Sequence, residues 1–328
     1  MNLGVIGCGQ VASLFHARAI GAIPEVKIQA ISDVDENRVE NFGRKHRVKR
    51  RYIDYRLMLS QGDIDSVLIC TPPRTHAQII LDSIDRGMHV LCEKPFVCTT
   101  SEMDLVEKSI SRNLTVFPAH NYVFTPSLGL AEDLVKKNNL DHPAKVEAHL
   151  AVGFNTWRSV TDYRCQDPAG VITDLLYHVV YVVQGLYGPI EVFDNIEVKR
   201  NSNHVVNKVR LEGRFRNDAY LDMSASWKTL LPHFRIMLQY PEVTVETDLI
   251  WHPYRISAKG IGNEGLLESN GGRFDEIRSL GLMAHPSFRL MHQNFLNSVM
   301  SKSTPRVTVD DARETILAIQ TIAERART

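Results

Sequence analysis

The chain has 328 residues, 44% of them hydrophobic and 23% charged, with 38 basic and 38 acidic side chains and a formal net charge of zero. That length predicts two domains of ordinary globular composition. The charge balance excludes an electrostatic case for nucleic acid or an anionic membrane as the main partner.

The N-terminus opens on Met1-Asn2-Leu3-Gly4-Val5-Ile6, which reads as a short buried strand. Gly7-Cys8-Gly9-Gln10-Val11-Ala12 follows at once and leads into a helical pattern over 10–20. This is G-x-G-x-x-A in the context that gives it meaning: strand, tight turn, helix. Gly7 permits the turn, Gly9 lets the backbone approach a pyrophosphate, and Ala12 lets the helix pack on the strand. The helix N-terminus then faces the phosphates. Cys8 is read as acting through its backbone N–H rather than its thiol. No basic flank precedes an apolar core, so no secretory signal is expected.

Further strands read at 26–33, 66–71, 88–93 and 114–119, with a poorer one near 49–53. Helical patterns at 35–45, 75–86 and 101–112 separate them, and Asp35 and Thr100 suit N-caps. Apolar strands alternating with helices predict a parallel sheet covered on both faces, a doubly wound Rossmann domain over 1–120. The basic run Arg44, Lys45, Arg47, Lys49, Arg50 and Arg51 falls before the third strand, away from a ligand edge, and reads as a solvated rim. The five cysteines show no C-x-x-C spacing and read as reduced thiols in a cytoplasmic protein.

After about 120 the pattern changes. A helix is expected over 126–138, and an alternating run begins at 145–152. Ala219, Leu221, Met223, Ala225 and Trp227 point one way, while Tyr220, Asp222, Ser224 and Ser226 point the other. Val209, Leu211 and Phe215, then Phe234, Ile236, Leu238 and Tyr240, repeat the pattern. Period-two alternation in successive runs predicts an α+β domain over 121–328 with a large, mostly antiparallel open sheet. Helices are expected within 162–185 and over 310–327, and a long loop over 260–272. The apolar stretch 171–183 contains Asp174 and His178 and is too short to span a bilayer.

In an open parallel sheet, ligands bind at the carboxyl ends of the strands. Gly7, Cys8, Gly9, Gln10 and Val11 follow the first strand, and Asp33 ends the second, where an acidic side chain suits the ribose hydroxyls of NAD. Thr71-Pro72-Pro73, Glu93-Lys94-Pro95 and Ala119-His120-Asn121 follow later strands on the same edge. His76 is open to a cofactor contact or to a structural role at its helix start. Arg38, near Asp33, keeps NADP open beside NAD.

These residues resemble the Gfo/Idh/MocA family of NAD(P)-dependent oxidoreductases. The resemblance runs through Gly7–Ala12, Thr71-Pro72-Pro73-Arg74-Thr75-His76, Glu93-Lys94-Pro95 and the D-x-x-x-H of Asp174 and His178. It continues in Phe295-Leu296 and in 305–312. It implies a Rossmann domain, a second domain with a large open sheet, and a substrate cleft between them. It also implies that Lys94, Asp174 and His178 match the family's catalytic positions, and that the substrate is a sugar, a polyol or a derivative of one. The chemistry agrees. Oxidising an alcohol requires removal of the hydroxyl proton, for which His178 is the natural base, while Lys94 holds the substrate oxygen. Asp174, four residues before His178, orients the imidazole or binds a hydroxyl.

Asn121, Tyr122, Trp157, Arg158 and Arg164 are weaker candidates for lining the substrate pocket. Ala169-Gly170 stands where the family has a glycine pair, Tyr181 where an acidic residue is common, and no arginine is evident after the sixth strand. These departures bear on the substrate more than on the cofactor. No metal-ligand spacing is present. The expected protein is thus a cytoplasmic NAD-dependent dehydrogenase, a dimer or tetramer through its C-terminal sheet. The alternatives are a dinucleotide-binding sensor without catalysis and a reductase of a non-sugar carbonyl.

Overall fold

A computed structural model describes residues 1–153, 164, 166–260, 265–268, 285–301 and 303–327. Its contacts divide into two compact units, Met1–Asn121 with Met283–Arg313, and Tyr122–Leu282 with Glu314–Thr328. The six-stranded sheet lies in the first unit and the eight-stranded sheet in the second, and 283–313 groups with the first. The physical cause is packing. The helix Pro286–Ser301 sets Phe288 on Phe15, ring centroids 5.2 Å apart, and Phe295 on Phe117, 5.8 Å apart.

The first unit holds six parallel strands: β1 (Asn2–Ile6), β2 (Lys27–Ser32), β3 (Arg50–Tyr52), β4 (Ser66–Ile69), β5 (His89–Glu93) and β6 (Val116–Ala119). Their order is β3-β2-β1-β4-β5-β6, the doubly wound arrangement with its switch point between β1 and β4. Val67, Leu68 and Ile69 are wholly buried, as strands covered on both faces require. Helix α1 (Ala17–Ile20) is entered through a π-helical turn at Ala12–His16. Asp35 caps α2 (Glu36–His46), as expected, by accepting the Arg38 N–H. Arg47, with φ 57°, ends α2, and Arg44, Lys45 and His46 sit in its last turn, where cations suit the helix dipole. Much of the basic run is thereby explained, and Arg51 also pairs with Glu40 at 2.6 Å.

The sequence pattern does not signal α3 (Tyr55–Gln61), a short helix capped by Asp54. Helix α4 (His76–Ile84) follows β4 and α5 (Thr100–Ser109) follows β5. The cap of α5 is Thr99 rather than Thr100, in a reciprocal capping box with Glu102.

In the second unit, α6 (Pro126–Lys137) precedes β7 (Lys145–Ala151). A π-helical turn, Ile172–Leu176, leads into α7 (Tyr177–Tyr187). Strands β8 (Ile190–Arg200), β9 (Val206–Phe215), β10 (Tyr220–Ser226), β11 (His233–Gln239), β12 (Thr244–Asp248), β13 (Arg255–Lys259) and β14 (Gly265–Glu268) complete one eight-stranded sheet. Its order is β14-β13-β12-β11-β7-β10-β9-β8, antiparallel except for the β7–β10 pair. The expected alternation appears in β10, where Leu221, Met223 and Ala225 are buried. Strand β14 interrupts the loop expected over 260–272; pairing with β13 gives its backbone groups partners that a loop would leave to solvent. The last helix is Val309–Arg325, and among the described residues no helix is long and apolar enough to cross a membrane.

Candidate functional site

The glycine turn is held from below by Asp33. Its Oδ2 accepts the Cys8 N–H at 2.7 Å and its Oδ1 accepts the Asp35 N–H at 3.0 Å. The Cys8 N–H, expected to serve a ligand, is therefore directed at a side chain of the protein. Gly7 adopts φ +94° and donates its N–H to Ser32 O at 2.8 Å. A Cβ on Gly7 would meet Cys70 O at 2.6 Å, whereas a Cβ on Gly9 would meet nothing within 4 Å. Open space above Gly9, beside the start of a helix at Gln10 and Val11, fits the approach of a dinucleotide phosphate. Burial and the nearby Asp33 charge push the Cys8 thiol up to about 12, so it is protonated at neutral pH.

The next turn along the same edge contains Thr71 and Pro72. The Thr75 hydroxyl donates to Thr71 Oγ1 at 2.8 Å. His76 is wholly buried, with Nδ1 2.8 Å from Pro95 O and Nε2 2.9 Å from Thr71 O. The ring thereby links the Thr71 turn to the Pro95 turn. Burial lowers its pKa despite the two carbonyls.

Glu93-Lys94-Pro95 follows β5, and the Lys94–Pro95 peptide is cis. Glu93 Oε2 accepts the Lys94 N–H at 3.0 Å, and Oε1 lies 2.8 Å from His16 Nε2. Burial pushes the Glu93 carboxyl up, but His16 and Lys94 outweigh it and hold the group below its ordinary value. His120, at the end of β6, is pushed well below its ordinary value by burial and then by the Lys94 charge. The neighbouring Asn121 donates to Ser287 Oγ at 2.9 Å, an internal contact of the first unit.

The second unit carries another cluster. Asp174 is buried in the Ile172–Leu176 turn; its Oδ2 accepts the Trp227 indole N–H at 3.0 Å and its Oδ1 lies 3.2 Å from Arg164 Nε. His178, at the start of α7, meets Tyr122 edge-on with ring centroids 5.1 Å apart. Tyr122 also packs edge-on against Phe234. Trp157 and Arg158 lie outside the described residues. No group of three or more metal-ligating side chains occurs among those described.

Sequence reasoning missed His16, His292 and Trp227. Two signals were present: a histidine on the otherwise apolar face of Ala12, Phe15 and Ala19, and a tryptophan closing the alternating run of β10.

Residues 1–120 match the model of the oxidoreductase family with an NAD-binding Rossmann fold, GFO_IDH_MocA. The uncharacterized oxidoreductase YrbE of Bacillus subtilis is 30% identical over 141 residues, 43% of this chain and 41% of that protein. Myo-inositol 2-dehydrogenase of Thermotoga maritima is 27% identical over 144 residues, 44% and 43% of the two chains. The chain thus spans less than half the length of these two relatives. A levoglucosan dehydrogenase structure in complex with NADH shares the fold with a TM-score of 0.88 at 18% identity, covering 100% of this chain and 97% of that one.

Proposed function

Because residues 1–120 match the model of this oxidoreductase family, with its NAD-binding Rossmann fold, we propose that the chain is an NAD-dependent dehydrogenase of a sugar or polyol. The observation that carries the reading is the glycine turn. It is clamped by Asp33, open above Gly9, and on one sheet edge with Glu93 and Lys94. Relatives named myo-inositol 2-dehydrogenase and levoglucosan dehydrogenase support the substrate class. Asp33 favours NAD over NADP, since a carboxylate repels a 2′-phosphate.

When bound, NAD supplies the hydride acceptor. Gly7, Gly9, Gln10 and Val11 would cradle its pyrophosphate, and Asp33 keeps lone pairs for a ribose hydroxyl beside those taken by Cys8 and Asp35. Lys94 holds the substrate oxygen and stabilises its developing charge. His178 takes the hydroxyl proton. Asp174, held by Trp227 and Arg164, keeps the first turn of that helix in place. We further propose self-association through the charged face of the C-terminal sheet, where Arg210 binds Asp222 through two hydrogen bonds of 3.1 and 2.8 Å.

The test is NADH formation from NAD with myo-inositol and levoglucosan as probes, beside NADH binding. Lys94→Ala is expected to abolish turnover and leave NADH binding nearly intact, and Gly9→Trp to abolish binding. Full turnover by Lys94→Ala would remove Lys94 from the chemistry. A parent protein that binds no NADH would overturn the whole reading.

A further inference from the structure

Three titratable side chains from distant parts of the first unit meet in one buried line. His292 Nε2, on the helix Pro286–Ser301, lies 2.9 Å from His16 Nδ1, and His16 Nε2 lies 2.8 Å from Glu93 Oε1. His16 and His292 are 0% and 1% exposed. Phe288 packs edge-on against His16 at 5.1 Å, which excludes water from that side. Glu93 Oε2 holds the Lys94 N–H. The line thus joins the glycine-turn helix to the Glu93-Lys94-Pro95 turn.

The chemistry of the contacts fixes most of the protons. A carboxylate only accepts, so His16 Nε2 carries a hydrogen. One proton then occupies the gap between His16 Nδ1 and His292 Nε2. When His292 supplies it, both rings are neutral and the line carries the single negative charge of Glu93. When the pair takes up one more proton, His292 carries its hydrogen on Nδ1 and His16 Nδ1–H donates to His292 Nε2. His16 becomes an imidazolium against Glu93, His292 stays neutral, and the line is neutral overall. Burial and His16 hold His292 well below its ordinary value, in keeping with a ring that passes the proton on. The other charged or titratable groups facing the line are Lys94, His76 and the thiols of Cys70 and Cys92, all coupled to Glu93.

We propose that His16 is a positioning residue and one-proton relay: it fixes Glu93 against the Lys94 amide and sets the charge that this turn presents to the nicotinamide end of the dinucleotide. The inference rests on the dinucleotide reading of the site. Asp33 follows β2, on one side of β1, and Glu93 ends β5, on the other side. A dinucleotide whose pyrophosphate lies over the turn after β1 therefore extends its second half toward β5. Oxidised nicotinamide is cationic and reduced nicotinamide is neutral. A line with one negative charge favours NAD+; a neutral line gives up that preference. The affinity for NAD+ relative to NADH falls as the relay gains its proton.

The experiment measures NAD+ and NADH affinity by calorimetry across a pH series, with the imidazole nitrogens followed by NMR. In the parent, the affinity ratio falls about fivefold toward acid, the scale of one partly screened charge. His16→Gln places an amide N–H where the ring Nε2–H stands but cannot carry the charge. It keeps NADH affinity within about threefold, and its ratio is flat with pH. His16→Leu leaves the carboxylate with one donor and weakens NADH binding about tenfold or more. His292→Leu keeps the Glu93 contact but removes the acceptor of the charged His16 ring, and moves the pH step downward. Should His16→Leu not fold, the Gln variant decides alone. NADH binding by the parent with an unchanged ratio profile in His16→Gln overturns the relay alone. A parent that binds neither form overturns the dinucleotide reading, and the relay with it.

Discussion

Gly7 and Gly9 stand two residues apart in one turn, and the structure assigns them opposite vulnerabilities. An alanine Cβ at Gly7 would lie 2.6 Å from Cys70 O, 2.7 Å from Cys70 C and 2.9 Å from Thr71 N. All three are backbone atoms. The turn cannot easily retreat, because the N–H groups of Gly7 and Cys8 are held by Ser32 O and Asp33 Oδ2. The positive φ adds about 1–2 kcal/mol for any side chain, and the overpacking about 1–3 kcal/mol. Gly7→Ala is therefore expected to lose about 2–5 kcal/mol, a fall of about 1–2 M in the urea midpoint. Gly9→Ala meets open space and is expected to change stability by less than about 0.5 kcal/mol. Its methyl occupies the volume assigned to the pyrophosphate, so NADH affinity falls instead. Urea titration followed by circular dichroism, beside NADH calorimetry, separates the two. Equal midpoint shifts in the two variants would refute the steric reasoning, and parental NADH affinity in Gly9→Ala would refute the phosphate assignment.

Other consequences follow from the same contacts. Trp227→Phe removes the indole donor from the buried Asp174 carboxylate and is expected to cost about 1.5–3 kcal/mol in urea unfolding; an unchanged midpoint would show that the bond is not needed. Thr99→Ala breaks the capping box of α5 and should cost about 1 kcal/mol by the same measurement. Burial holds His76 and His292 below their ordinary 6.5, so both stay neutral in the folded protein under conditions that protonate the unfolded chain. Their contribution is whole above pH 6.5 and declines as the pH falls below it, by up to about 1.4 kcal/mol per pH unit for each ring; a midpoint flat down to about pH 5 would refute this. The thiols of Cys8, Cys70 and Cys92 are pushed up by burial above all, and mass spectrometry after iodoacetamide treatment at neutral pH should find them unmodified in the folded protein.

The sequence makes the Rossmann half legible because its signals are local. Strand, glycine turn and helix stand within twenty residues, and Asp33 follows at the end of the next apolar run. The alternation of β9, β10 and β11 likewise announces a sheet with one polar face. The parallel β7–β10 pair is not legible, because it depends on the crossover through α7 and the β8–β9 hairpin rather than on either strand's own pattern. Helix α3 is short, and its apolar residues do not mark it off from the neighbouring turns. The return of Pro286–Ser301 to the first unit is hidden for a stronger reason. Phe288 and Phe295 read as one amphipathic face, and nothing in that face names Phe15 and Phe117 as its partners. The pairing of His16 with His292 joins positions 276 residues apart and has no local signal at all.

Three acidic residues stand among the candidates, and the structure gives them a common form. Asp33 accepts from the Cys8 and Asp35 amides, Glu93 from the Lys94 amide and His16, and Asp174 from Trp227 while it meets Arg164. Both oxygens of each carboxylate already face a donor. A proton added along either of those directions would meet an N–H, and a carboxylate that left its donors to serve as a base would strand a buried group. Their geometry suits holding a turn, a lysine backbone and a helix start in place. A proton carrier must do the reverse: it must keep its position while its charge changes. Imidazole does so because it loses one N–H and retains the other nitrogen's contact. This asymmetry is the ground for proposing His178, rather than Asp174 four residues before it, as the group that removes the proton. In the same proposal Asp174, held by Trp227 and Arg164, keeps the start of that helix in place.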